Sequence, residues 1–164
     1  MCYFVFVGTP RVRHEGFTRR LVDAGCQVAA TGNVDVRAAF PNGDVVSVVV
    51  HNGCSCDLYA ERSVRFDEEA QRARYRKKNW SDAKIERAIL GKRPRERPAF
   101  AAFRHALAVA IREVGSARIL AHSFSGSVDA EPMQIAGTSR MSVEEYLCAE
   151  GVYAPDVVHD IRAG

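Results

Sequence analysis

Apolar residues recur with different periods along the chain, and each change of period marks out an element. Residues 2–7 (Cys-Tyr-Phe-Val-Phe-Val) are aromatic and β-branched and predict a buried first strand, which Gly8 ends. Thr9 and Pro10 then read as the cap and first residue of a helix. Val12, Phe17, Leu21 and Ala24 lie along one face of that helix, and Gly25 closes it. A meander is expected next: a strand from Cys26 to Thr31, a turn at Gly32-Asn33, and a strand from Val34 to Phe40. A type I′ turn at Asn42-Gly43 leads to a third strand from Val45 to His51. That register opposes Phe40 to Val45, Val36 to Val49 and Val34 to His51, so His51 shares a face with Val49 and Val45. Val46, Val48 and Val50 make the other face equally apolar, as in a central strand covered on both sides.

From Phe66 to Lys78 the pattern turns helical, with acids early and bases late, an order that suits the helix dipole. Its apolar face (Phe66, Ala70, Ala73) is thin and predicts a largely solvated helix. A second helix starts after Ser81, with Trp80 and Ile85 stapled across its start. Ile85, Ala88 and Ile89 give it a narrow stripe, and Gly91 stops it. Residues 92–98 form a basic linker that two prolines keep from being helical. The helix from Pro98 to Val114 is the best patterned: Phe100, Phe103, Leu107, Ile111 and Val114 recur every three or four residues. A strand from Arg118 to Phe124 follows, then a turn at Ser125–Ser127 and a short strand at Met133–Ala136. Ser142-Val143-Glu144-Glu145 is a capping box, with Met141 and Tyr146 placed to staple it. Its helix runs to Glu150 and stops at Gly151. Pro155 makes Val152–Val158 at most an edge strand.

These elements predict one α+β domain over 1–164, with a mixed or antiparallel sheet packed by helices. A basic helical insertion occupies 62–97. Without it, the order βαβ…αβ suits a ferredoxin-like arrangement. With 164 residues, 47% hydrophobic and 26% charged, the chain is long enough and apolar enough for its own core. No apolar run approaches a membrane span, and the N-terminus lacks the basic lead of a signal peptide. Five cysteines at irregular spacing do not form a disulfide framework. A reducing, cytoplasmic setting is therefore expected, with no membrane partner. The net charge of +3 hides an asymmetry: residues 62–97 hold 13 Lys+Arg against 6 Asp+Glu, and the rest hold 10 against 14. The insertion is basic and the body mildly acidic.

Two regions are chemical candidates. His51-Asn52-Gly53-Cys54-Ser55-Cys56-Asp57 concentrates an imidazole, two thiols and a carboxylate after the most apolar strand. His51, Cys54, Cys56 and Asp57 are ligand types that zinc accepts, with His122, Cys2 and Cys148 as other fourth ligands. The spacing lacks the second ligand pair of a structural zinc site. The same thiols suit redox or nucleophilic chemistry, with Cys54 and Cys56 catalytic and His51 or His122 as base. Packing of cysteines in a small turn is the plainer alternative.

The second candidate is the basic insertion, suited to nucleic acid or an acidic protein surface. Arg72, Arg74, Arg76, Lys77, Lys78, Lys84, Arg87, Lys92, Arg93, Arg95 and Arg97 would meet the anionic partner, with Tyr75 and Trp80 available for stacking. Ion pairs such as Glu68 with Arg72 also suit a merely solvated helix pair. Gly8-Thr9-Pro10 lacks the glycines and lysine of a phosphate loop, and the serines around His122 lack a nucleophile elbow.

Overall fold

The computed structural model describes residues 2–59, 67–92, 98–148 and 154–164. Expectations for Phe66, the linker at 93–97 and the stretch from Glu150 to Tyr153 lie outside the described residues. The chain divides into two compact units, residues 62–96 and the remainder.

The larger unit is an α+β body built on six strands: β1 (Cys2–Pro10), β2 (Gln27–Ala30), β3 (Asp44–Val50), β4 (Ser116–Phe124), β5 (Gly137–Ser142) and β6 (Val157–Arg162). Their order in the sheet is β2-β3-β1-β4-β6-β5. All neighbours are antiparallel except β5 and β6, which run parallel, so the sheet is mixed. The helices of this unit are α1 (His14–Asp23), α2 (Val34–Ala38), α5 (Pro98–Val114) and α6 (Val143–Cys148). β1, α1, β2, β3, α5 and β4 follow the β-α-β-β-α-β order of a split βαβ unit, interrupted by α2 and the basic insertion.

Strand alternation builds two cores. On one face Val5, Val7, Val49, Ile119 and Ile161 pack against Phe17 and Leu21 of α1, Tyr146 of α6, and Phe103, Leu107 and Ile111 of α5. On the other face Phe6, Val46, Leu120, Phe124 and Val158 pack with Val36, Phe40 and Met133. β1 and β3 are therefore apolar on both sides because both sides are covered. The stripe of α5 is buried at all five predicted positions. The capping box also forms: Glu145 N–H donates to Ser142 Oγ at 3.0 Å, and Ser142 N–H to Glu145 Oε2 at 2.7 Å.

In the larger unit four expectations are corrected. Residues 34–38 are helical, not a strand. Asn33 Oδ1 accepts from the Asp35 and Val36 N–H groups at 3.0 Å, and Val36 in the helix and Phe40 just beyond it are both buried in the second core. The Asn33 amide nitrogen also donates to the Val128 and Glu131 carbonyls, so every hydrogen-bonding position of this buried side chain is used. A turn forms at Asn42-Gly43, with Asp44 N–H on Pro41 O at 3.1 Å, but only Gly43 of the pair takes positive φ (101°), so it is not the expected type I′ turn, and it joins a helix to a strand. Val49 consequently faces Val28 and Val5, not Val36.

The second correction is the start of α1. β1 continues through Pro10, a 3-10 turn occupies Arg11–Arg13, and the helix begins at His14. Thr9 does not cap it; its hydroxyl meets His14 Nδ1 at 3.0 Å, and Ser47 Oγ meets Nε2 at 3.2 Å. Val12 is 91% exposed, off the buried face. Third, the strand after β4 is Gly137–Ser142, not Met133–Ala136; Met133 is instead a core residue of the second face. Fourth, the last strand starts after Pro155, at Val157, and lies between β4 and β5 instead of at an edge. Its proline precedes the ladder and removes no donor from it.

The smaller unit is a pair of helices, α3 (Glu68–Arg76) and α4 (Asp82–Lys92). Asp67 caps α3 through Ala70 N–H at 2.8 Å. Ala70 and Ala73, the expected apolar face of α3, are exposed, and its buried residue is Tyr75. Tyr75, Ile85 and Ile89 form a small core, with Trp80 and Ala88 packed on it.

Candidate functional site

The loop after β3 is built by a tight turn. His51 N–H donates to Cys54 O at 2.8 Å, and Cys54 N–H returns to His51 O at 3.4 Å. Between them Asn52 and Gly53 both take positive φ, 54° and 90°, as a two-residue hairpin turn requires. Ser55 then pins the loop to the sheet. Its hydroxyl accepts from Val5 N–H at 2.9 Å and donates to Val49 O at 2.5 Å, and its N–H donates to Tyr3 O at 3.1 Å. Ser55 is fully buried, as is Leu58, and Tyr59 stacks on Tyr3 at 4.1 Å between centroids. The sequence marked this serine only as a spacer between cysteines, yet it bridges β1 and β3.

Cys54 and Cys56 therefore flank a fixed point, and both are partly exposed. Cys56 N–H donates to Cys54 Sγ at 3.4 Å. That backbone donor, the largest single influence on the Cys54 thiol, pulls its pKa down. The Cys56 thiol, desolvation, and the charges of Cys56 and Asp57 together outweigh it and leave Cys54 above its ordinary value. Residues 51–59 contain turns and one bridge, and no helix start lies among them to favour a thiolate. His51 Nδ1 stands 3.5 Å from Asp57 Oδ2 and 3.2 Å from Asn52 Nδ2. Among the described residues no three His, Cys, Asp or Glu side chains converge in a group able to hold a metal, and His51, Cys54, Cys56 and Asp57 form no such group. Cys2 and Cys148 are exposed; Cys26 is buried, which pushes its thiol up to about 11.

His122 lies on β4, separated from β3 by β1, so strand spacing of about 4.8 Å puts its backbone about 10 Å from β3. Its Nδ1 is held by the Asp156 carboxylate, and its ring meets Phe124 edge-on at 4.4 Å. Nearby, Glu131 accepts from the N–H groups of Ser125 and Gly126 and from Ser125 Oγ. The Gly126 N–H foremost, with the Ser125 donors and the charge of His122, lowers its pKa.

The helical pair carries the second set of candidates. Arg72 is not a free cation: its guanidinium bridges Glu68 in α3 and Glu86 in α4. Both partners raise its pKa, Glu86 first. Tyr75 stacks on Trp80 at 4.5 Å with the rings 3° from parallel, and the Lys84 ammonium lies 4.3 Å from the indole centroid. The two rings counted on for stacking are thus engaged with each other and with Lys84. Arg74, Arg76, Lys77, Lys78 and Arg87 are exposed and make no ion pair among the described residues. Arg93 and Arg95 lie outside the described residues.

One polar group is not apparent from the sequence. Arg118, Arg140 and Arg162 lie with Asp44 and Asp160 on strands β3 to β6. The only signal was a charged residue inside otherwise apolar strands, as at Asp44 and Arg118. No family model matches the chain, and no curated protein or solved structure matches it.

Proposed function

We propose that the protein is a non-enzymatic binding module whose helical pair engages the phosphate backbone of nucleic acid. The supporting observation is the run Arg74, Arg76, Lys77 and Lys78, exposed at the end of α3 and without carboxylate partners among the described residues, whereas Arg72 is consumed by Glu68 and Glu86. Two arginines and two lysines, beside rings already stacked on each other, suit phosphates better than the aromatic-rich centre of a protein interface. Affinity then follows backbone charge and not base identity. No helix among the described residues is long and apolar enough to cross a membrane. Five cysteines at irregular spacing support a reducing, cytoplasmic setting for this module.

Titration of a short labelled DNA duplex at several salt concentrations tests this. Log affinity should fall with log salt by about 0.9 per contacted phosphate, and Arg74→Glu with Arg76→Glu should reduce the slope by about two units. Binding unchanged by that double variant removes the helical pair from the interaction. Preference for polyglutamate over the duplex transfers the same surface to an acidic protein.

A second reading rests on the Cys56 N–H to Cys54 Sγ contact, which holds the two sulfurs' residues together at the pinned loop. Hydrogen peroxide would take two electrons and two protons from the thiols, joining the sulfurs and leaving as water; such a small ring would be readily reduced again. Mass analysis after peroxide treatment should show loss of two hydrogens, abolished in Cys54→Ser. Reaction of each thiol separately, with no disulfide, rules it out.

A further inference from the structure

The arginines of β4, β5 and β6 border a cleft of about 650 Å³, a size suited to a small organic ligand. Sheet register aligns them. Arg118 on β4 is opposite Asp160 on β6, and Asp160 is opposite Arg140 on β5, so the three side chains stand in a row across one face. Arg162, two residues beyond Asp160, shares that face.

The charges in this row do not balance. Asp44, only 6% exposed, accepts from Arg118 Nη1 through both oxygens at 3.1 and 2.9 Å. Asp160 is shared by three guanidiniums: Arg118 at 3.6 Å, Arg140 at 3.5 Å and Arg162 at 2.9 Å. Two carboxylates therefore face three arginines, a surplus of one positive charge. Arg118 is 17% exposed and hydrogen-bonded to Asp44, with Asp160 Oδ1 3.6 Å from its Nε, whereas Arg140 is 70% exposed and approaches Asp160 through Nε at 3.5 Å. The terminal nitrogens of Arg140 make no hydrogen bond among the described residues, and they are the planar fork that binds carboxylate or phosphate.

The opposite wall is apolar and built to stay in place. Phe40 is buried and lies directly on Gly8 of β1; a Cβ at Gly8 would sit 2.3 Å from its Cδ1. A glycine at this strand position is thus what admits the ring. Pro41 and Val158 continue the apolar lining, and Thr138 adds a hydroxyl beside Arg140.

We propose that this cleft binds a small organic anion, its carboxylate or phosphate head group on Arg140 and Arg162 and its apolar body against Phe40, Pro41 and Val158. The test is amide-resolved NMR titration of the full chain with phenyl phosphate, phenylacetate, inorganic phosphate and benzyl alcohol. Saturable shifts centred on residues 138–141 and 158–162 are expected with phenyl phosphate or phenylacetate, and the tighter of the two identifies the head group. Arg140→Gln with Arg162→Gln should weaken binding about tenfold or more. Arg140→Gln alone, at the more exposed position, should weaken it while leaving the spectrum of the free protein in place. No saturable shift with either aromatic anion at millimolar concentration overturns the proposal, and so does equal binding by wild type and the double variant. Inorganic phosphate or benzyl alcohol binding as tightly as the aromatic anions overturns it too, because head group and wall would then not act together. Arg74→Glu with Arg76→Glu should leave these shifts unchanged, which separates this site from the helical pair.

Discussion

The sheet body and the helical pair are stabilised in different ways. In the body, α5 alone buries seven side chains, and both sheet faces carry cores. The helical pair buries Tyr75, Ile85 and Ile89, and completes its packing with a ring stack, a cation over an indole and an arginine shared by two glutamates. Apolar area removed from water scales with size, so a two-helix unit cannot copy the body's solution. Its surface is left to charge. The cations that its own carboxylates do not engage are the ones the proposed partner would meet.

Removing apolar contacts should separate the two regions most clearly. Leu107→Ala, in the middle of the fully buried stripe of α5, should lower the stability of the body by about 2–5 kcal/mol, measured by denaturant unfolding. Ile89→Ala should cost about 2 kcal/mol, at the low end of that range because so small a core can close around the gap. Hydrogen exchange should then show faster exchange over residues 68–92 while α5 and β4 keep their protection. If both regions lose protection together, they form one cooperative unit and the contrast fails.

Smaller changes sharpen the picture within the body. Ser55→Ala leaves Val5 N–H and Val49 O without their side-chain partner and should cost about 1–3 kcal/mol, with exchange rising first at the β1–β3 pairing. Ser142→Ala removes one arm of the capping box and should cost about 1 kcal/mol. The smallest effect expected is on acidification. Burial lowers the pKa of both His14 and His159, only partly offset at His159 by the Ala154 carbonyl. The unfolded chain therefore takes up protons near the ordinary value of 6.5 before the folded one does. Stability is complete above that value and declines as the pH falls through it. Denaturant midpoints just above and below pH 6.5 check this; a midpoint that rises on acidification would contradict the sign.

The legible parts of the molecule are those whose causes are short-range. The stripe of α5, the alternation in β1 and β4, the capping box at Ser142–Glu145 and the stripe of α4 each depend on residues a turn or a strand apart. The misread parts depend on partners far along the chain. Val34-Asp35-Val36-Arg37 alternates like a strand, but Asn33 caps it and is itself held by carbonyls almost a hundred residues away. Thr9 looks like a cap, but its hydroxyl meets His14 between two strands. At the loop after β3, the sequence drew attention to the thiols and the imidazole; the buried serine between the thiols holds the loop.

Composition, periodicity and capping were enough to establish an α+β body, three of the helices that cover it (α1, α5 and α6) and a basic helical pair with surplus charge. They act locally, so they can be read without knowing the neighbours. Strand order, the inner position of β6, and the meeting of Arg118, Arg140, Arg162, Asp44 and Asp160 arise only when segments distant in sequence pair. A side chain's partners across a sheet are set by register, and register is a property of two strands at once.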